Sequence, residues 1–268
     1  MPETSNIVPN KQLGQHWLND PADLLAICDL AELDSSDVVL EIGPGLGSLT
    51  SLLITRARQL VAVEYDASLI AELKSKFADA SNLSIVNEDI RSYNLSALPP
   101  GYKVVANIPY YLSGYILRLL TQSSNPPKIA VLLMQQEVAL RLAAAPGDLS
   151  VPGVLAQVYW EVSLGPLIKS EKFTPPPKVD SRVVKLIRLA SPLVDDSLAK
   201  QFFRLVKIGF SQKRKTLANN LSAGLSLNKD RTNQLLVGCG LNSLARPQEL
   251  SIEQWLSLAQ ALFTEPTE

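Results

Sequence analysis

The sequence predicts an α/β protein: a doubly wound, mostly parallel sheet followed by a small all-helical C-terminal domain. Three observations carry this. Short apolar runs alternate with helical patterns through the first two thirds of the 268 residues. A glycine-rich turn follows the first of those runs. After Ser191-Pro192 only helical patterns remain.

In chain order, Val38-Val39-Leu40-Glu41-Ile42 reads as a buried strand, with a glycine turn and a helix from about Ser48 behind it. Leu60-Val61-Ala62-Val63-Glu64 is the second strand. Asp66 is placed to cap a helix whose Leu69, Ile70, Leu73 and Phe77 share one face. Leu83–Val86 and Lys103–Ala106 follow as strands, the latter leading to a helix from about Ser113. Ile129–Leu133 is the fifth, and its helix stops at Pro146-Gly147. Two late strands, near 155–162 and 182–189, are expected antiparallel at one edge, bringing the Rossmann-like sheet to seven. Helices are expected over Ser197–Phe210, Lys213–Ser222, Lys229–Val237 and Ile252–Leu262. Ser251 and Gln254 have the spacing of a capping box for the last one. The boundary therefore falls between a sheet domain, 1–190, and a helical domain, 191–268.

Composition narrows the function classes. An apolar content of 46% supports a sizeable core, and no run approaches the roughly 20 apolar residues of a membrane span. Met1–Asn6 lacks the basic flank and apolar run of a secretory signal. Cys28 and Cys239 have no metal-like spacing, so a reducing cytoplasm is the expected home and no metal is expected. The net charge of −1 hides an asymmetry: Gly165–Arg231 holds 14 Lys/Arg and 5 Asp/Glu, a net +9 that leaves the remainder at −10. Local charge of this kind attracts phosphates.

The candidate chemistry begins at Glu41-Ile42-Gly43-Pro44-Gly45-Leu46-Gly47. Glycine lets the backbone turn sharply and approach a ligand closely. The spacing is G-x-G-x-G, not the G-x-G-x-x-G that seats a dinucleotide pyrophosphate. Glu41 sets a carboxylate beside the bound group, which suits a cationic sulfonium and repels a pyrophosphate. Glu64, ending the second strand, is placed to accept from ribose hydroxyls, and Asp89 could receive an adenine amine. Singly, each also reads as an ordinary turn or a solvated acid; their order on successive strands raises them together.

Asn107-Ile108-Pro109-Tyr110, after the fourth strand, is the sharpest signal. An adenine N6 is a poor nucleophile because its lone pair is delocalised into the ring. Accepting both of its hydrogens, through the Asn107 side chain and the Ile108 or Pro109 carbonyl, frees that pair. Pro109 fixes the turn, and Tyr110 offers a flat face for the base. With a sulfonium leaving group, positioning and hydrogen bonding suffice. Alone, Asn-x-Pro-Tyr can also be a plain β-turn.

At these residues the chain resembles the ribosomal RNA adenine N6,N6-dimethyltransferases. Further support comes from Leu13–Asp20, Met134–Ala139 with Arg141-Leu142, Phe173–Ser181 and Phe210–Leu221, so the likeness runs from Lys11 to about Leu262. Within the family it is most similar to the branch that dimethylates two adjacent adenines near the 3′ end of small-subunit (16S) rRNA. The resemblance implies S-adenosylmethionine as methyl donor, bordered by His16 and Leu18, with Gly43 beneath it. It also implies Glu64 at the ribose, Asp89 at the adenine and Asn107 near the methyl. The implied partner is small-subunit rRNA in a pre-ribosomal 30S particle, met by a monomer. Trp17 stands where the family usually has Phe and is expected to leave the site intact. In Gln212-Lys213-Arg214-Lys215, one of two usual arginines is replaced, which bears on RNA affinity.

Three further readings complete the set. Phe173-Thr174-Pro175-Pro176-Pro177-Lys178-Val179-Asp180-Ser181 is either a linker or a stiff loop holding Phe173 over the target base, opposite Tyr110. Lys207, Lys213, Arg214 and Lys215, with Asn219 and Asn220, are either a solvated face or phosphate contacts. His16, the single histidine, is expected at the donor's edge or in packing and not as a general base. Competing functions are a large-subunit (23S) rRNA methylase conferring antibiotic resistance and a non-catalytic RNA-binding assembly or transcription factor. A nicotinamide dehydrogenase is disfavoured by the loop spacing.

Overall fold

A computed structural model of the protein describes residues 8–263; the reading of Met1–Asn6 lies outside them. The chain runs β1 (Trp17–Leu18), α1 (Pro21–Leu30), β2 (Val38–Ile42), α2 (Thr50–Leu53), β3 (Gln59–Glu64), α3 (Ala67–Lys76), β4 (Leu83–Asn87) and β5 (Lys103–Asn107). It continues with α4 (Ser113–Gln122), β6 (Ile129–Gln135), α5 (Gln136–Leu142), α6 (Val151–Gln157), β7 (Trp160–Ile168), β8 (Phe173–Thr174) and β9 (Ser181–Arg188). Four helices follow: α7 (Asp196–Gly209), α8 (Leu217–Leu225), α9 (Lys229–Gly238) and α10 (Ile252–Phe263).

Seven strands stand in the order β4-β3-β2-β5-β6-β9-β7. β2 pairs in parallel with β3 and β5, β3 with β4, and β5 with β6, while β9 runs antiparallel to β6. Every position of β2, residues 103–106 of its neighbour β5 and residues 129–134 of β6 beyond it are buried, as strands covered by helices on both faces must be. Strand order reverses between β3 and β5 on either side of β2. That switch point opens a crevice at the carboxyl ends of the strands, where Ile42, Glu64 and Asn107 emerge.

Local chemistry sets the helix ends. The Asp66 carboxylate accepts from the Ser68 N–H and starts α3. Ser251 and Gln254 exchange side-chain to backbone bonds at 2.9 and 3.2 Å, the expected capping box of α10. Two expectations are corrected. Residues 151–157 are helical, because Ser150 caps them and Pro152 sits in the first turn; the strand is Trp160–Ile168 and not 155–162. Lys213–Lys215 precede α8, whose cap is the Thr216 hydroxyl, so the basic run lies in a turn and not on a helix.

Two compact units result. One comprises the chain up to Ala139 together with Val162–Arg188; the other comprises Leu140–Glu161 together with the chain from Leu189 onward. The first is built around Ile27, Val39, Leu60, Val105 and Val131. In the second, Leu149, Val154 and Val158 share a core with Phe202, Leu217 and Trp255. That shared burial groups Leu140–Glu161 with the C-terminal helices. Among the described residues, no helix is long and apolar enough to cross a membrane.

At the opposite end of the sheet from the crevice, Lys103 begins β5 with its side chain only 6% exposed. Its ammonium donates to Asp37 at 2.8 Å and to the Glu32 carbonyl at 2.6 Å. Removing the cation leaves a largely buried carboxylate without its partner. Lys103→Met is therefore expected to destabilise the fold by about 3 kcal/mol, read from the midpoint of urea unfolding; an unchanged midpoint would exclude the pair as a structural brace.

Candidate active site

The crevice at the switch point is a pocket of about 210 Å³. Its lining includes His16, Leu18, Gly43, Glu64, Asp89, Asn107, Pro109 and Tyr110, so the structure brings together all the sequence-selected residues of the donor and base sites except Phe173.

The glycine turn forms the floor. Gly43 has φ +69°, a left-handed conformation, and a β-carbon built there meets nothing within 4 Å. It would project into open space that a ligand can occupy. At Gly45 a β-carbon would instead come within 3.0 Å of the Trp17 indole, which packs against the loop and itself forms part of the pocket's lining. Its Nε1 is buried and makes no hydrogen bond among the described residues.

Two buried acids set the pocket's electrostatics. Glu41 is 1% exposed, and burial pushes its carboxyl up to about 8, opposed by the Thr50 hydroxyl at 2.7 Å and reinforced by nearby Glu64. Glu64 is also raised by burial; its two oxygens accept the Asp66 N–H at 2.8 Å and the Gly45 N–H at 3.1 Å. Each oxygen keeps a further lone pair for a hydroxyl donor. Asp89 arrives already paired: Arg91 Nε lies 3.0 and 2.8 Å from its oxygens, holding the carboxyl below the usual range. An amine reaching Asp89 must share it with that guanidinium.

Asn107 ends β5, and its Nδ2 donates to the His16 carbonyl at 3.0 Å. This bond orients the amide and leaves Oδ1 as the acceptor that Asn107 brings to the pocket. The Pro109 carbonyl accepts the Leu112 N–H at 2.9 Å in a tight turn, so of the two carbonyls considered, Ile108 has the uncommitted one. Tyr110 is held at both ends: its hydroxyl lies 2.6 Å from Ser181 Oγ, and its ring stacks on His16 at 5.8 Å and 18°. His16 Nδ1 lies 2.6 Å from the Pro175 carbonyl and must carry the proton to donate there. A histidine so engaged packs and orients.

Phe173 requires a correction. It is 2% exposed, pairs across β1–β8 with Leu18, and belongs to the apolar core with Leu24 and Ile168. Strand pairing turns the ring inward, so in this structure it anchors its loop instead of overhanging the pocket. The exposed aromatics on the pocket's lining are Tyr111, 62% exposed, and Tyr65. Sequence reasoning passed over Tyr111; its signal was a second consecutive tyrosine after the turn proline. Asn220 is corrected too. It is buried, and its amide donates to the Gly209 and Gln212 carbonyls, bracing the turn before α8. Lys207, Lys213, Arg214 and Lys215 are exposed on the second unit and are not part of the pocket's lining.

A sequence profile of the family described as ribosomal RNA adenine dimethylase matches residues 8–263. The chain is 36% identical over 261 residues to ribosomal RNA small subunit methyltransferase A of Dehalococcoides mccartyi strain CBDB1, covering 96% of this chain and 90% of that one. To the protein of the same name from Geobacter sulfurreducens it is 38% identical over 260 residues, covering 94% of each. Among solved structures it resembles a dimethyladenosine transferase from Plasmodium falciparum (TM-score 0.80, 29% identity, 91% of this chain and 96% of that one). It also resembles the 23S rRNA methyltransferase ErmE (TM-score 0.78, 28% identity, 92% and 99%).

Glu41 makes a pH test available. Its carboxyl is raised from 4.5 to about 8, so the folded chain binds that proton more tightly than the unfolded chain does. The protonated group adds stability at low pH, and that stability drains away as pH climbs from about 4.5 through about 8. Melting temperatures of wild type should therefore fall over this window relative to Glu41→Gln; parallel curves would acquit Glu41.

Proposed function

Because the chain belongs to the ribosomal RNA adenine dimethylase family, we propose that it dimethylates N6 of two adjacent adenines near the 3′ end of 16S rRNA, during assembly of a 30S particle, with S-adenosylmethionine as donor. The observation that carries this reading is the Asn107 amide, tied to His16 so that its oxygen stands at the switch point. Oδ1 and the Ile108 carbonyl accept the two hydrogens of an adenine amine and draw its nitrogen toward tetrahedral geometry. Tyr110 backs the base, and Tyr111 offers the second flat wall that Phe173 does not. When bound, the donor supplies an electrophilic methyl on a sulfonium. Glu41 and Glu64 suit that cation, Glu64 its ribose hydroxyls, and the open face of Gly43 the space it needs. His16 and Leu18 border it, and Asp89, shared with Arg91, receives its adenine.

RNA reaches the chain through phosphate contacts at Lys207, Lys213, Arg214 and Lys215, which position the strand and leave base choice to the pocket. The chain acts as a cytoplasmic monomer. The likeness to ErmE lies in the shared scaffold, whereas relatives at 36–38% identity carry the small-subunit name.

Asn107→Ala is expected to cut methyl transfer by at least about 100-fold, as loss of a transition-state hydrogen-bonding group does, while donor affinity measured calorimetrically changes little. Normal turnover would reject the proposed amine geometry. Mass spectrometry of rRNA fragments from a deletion strain should show dimethyladenine missing from the small subunit; loss from the large subunit instead would establish the resistance-methylase reading.

A further inference from the structure

A second cleft adjoins the base pocket on the same unit, with a volume of about 460 Å³. Its walls are the segment around Tyr93–Ser96 and one face of α4, where Tyr115, Arg118, Leu119 and Gln122 recur at helical spacing. Both walls continue elements that line the pocket. Arg91 borders the pocket and Tyr93 the cleft, two residues on; Leu112 borders the pocket and Tyr115 the cleft, three residues on. The Tyr115 hydroxyl donates to the Arg91 carbonyl at 3.2 Å, joining the walls at the boundary.

The cleft's chemistry is uneven in a telling way. Arg118 lies over the Tyr115 ring, 5.4 Å from its centroid, and is exposed. Among the described residues it forms no ion pair, and the cleft's lining contains no carboxylate. This contrasts with the neighbouring pocket, whose lining carries Glu41, Glu64, Glu88 and Asp89. Ser96 and Ser124, 3.1 Å apart, add hydroxyls at the rim. A guanidinium over an aromatic ring, with leucines and hydroxyls around it, suits a nucleotide: a base stacks against the aromatic group and a phosphate meets the guanidinium N–H groups. A cationic partner would find no complementary charge there, and an apolar helix would leave the guanidinium without an anion.

We propose that this cleft is a subsite for a nucleotide neighbouring the target adenine on a single-stranded segment of RNA. It rests on the RNA-methylating reading for its substrate, and it adds a positioning surface separate from the basic residues of the second unit. Arg118 supplies the phosphate contact and, with Tyr115, the stacking plane. Because the cleft abuts the pocket, a strand seated in it delivers the next nucleotide to Asn107.

The test is fluorescence anisotropy with a labelled single-stranded RNA oligonucleotide and the full chain, without donor. Arg118→Ala is expected to bind about tenfold more weakly and to lower the salt slope by roughly 0.7, the loss of one phosphate contact. Gln122→Glu, which adds a carboxylate to the lining, should weaken binding as well. Arg58→Ala removes an exposed arginine at the other end of the sheet and should stay within about twofold of wild type. Equal affinities for wild type and Arg118→Ala, or equal losses in Arg118→Ala and Arg58→Ala, would overturn the proposal. Unaltered melting curves confirm that each variant folds. Methyl transfer to immature small subunits is read separately: if wild type transfers none but Arg118→Ala still loses RNA affinity, the enzymatic reading falls and the subsite stands. If wild type transfers methyls and Arg118→Ala binds RNA normally, only the subsite falls.

Discussion

One amide governs the site. Asn107 closes β5 and gives its N–H to the His16 carbonyl, so the segment around His16 and the middle of the sheet become a single surface. Without that bond the amide could turn end for end and present a donor where the proposed reaction needs an acceptor. Other contacts reinforce the same join. Gln15 donates to Asp66, Ser48 to Asn19, His16 to Pro175, and Tyr110 pairs with Ser181. Preorganisation of this kind lets hydrogen bonding act on the nucleophile without reorganising at the moment of reaction.

Electrostatics divides the surroundings of that amide. The floor concentrates acids, two of them buried deeply enough to resist ionisation. A cation bound beside them would draw these carboxyls toward the ionised form and gain from it, whereas a pyrophosphate would keep them neutral and gain no such attraction, which counts against a nicotinamide dehydrogenase in the same crevice. A few residues away, the Tyr115–Arg118 surface reverses the sign. The acidic site lies under the glycine loop and the cationic one along α4, so a single unit can hold a positively charged small molecule beside a polyanion.

Much of this was legible in the sequence because it depends on local chemistry. Buried runs such as Val38–Ile42, the G-x-G-x-G turn, the Asp66 and Ser251 caps and Asn107–Tyr110 all announce themselves within a few residues. What escaped was decided at longer range. Phe173 reads as a free aromatic until its pairing with Leu18 is known. Residues 155–157 are apolar enough for a strand, and only the Ser150 cap and Pro152 make them helical. Asn220 looks like a surface donor, yet the turn at Gly209–Gln212 claims its amide. Leu140–Glu161 precedes β9 and most of β7 in the chain, yet its Leu149, Val154 and Val158 are buried with helices that come later.

The ties around the base pocket also dictate when it can exist. His16 meets a residue 159 positions downstream, and Tyr110 meets one 71 positions downstream. A chain emerging from its amino end could pair β2, β3 and β5 well before Pro175 and Ser181 have been synthesised. Until then His16 and Tyr110 lack the partners that hold them still. The pocket is thus a late product of biosynthesis, and a polypeptide cut short of β9 would keep a glycine turn with no finished place for a base.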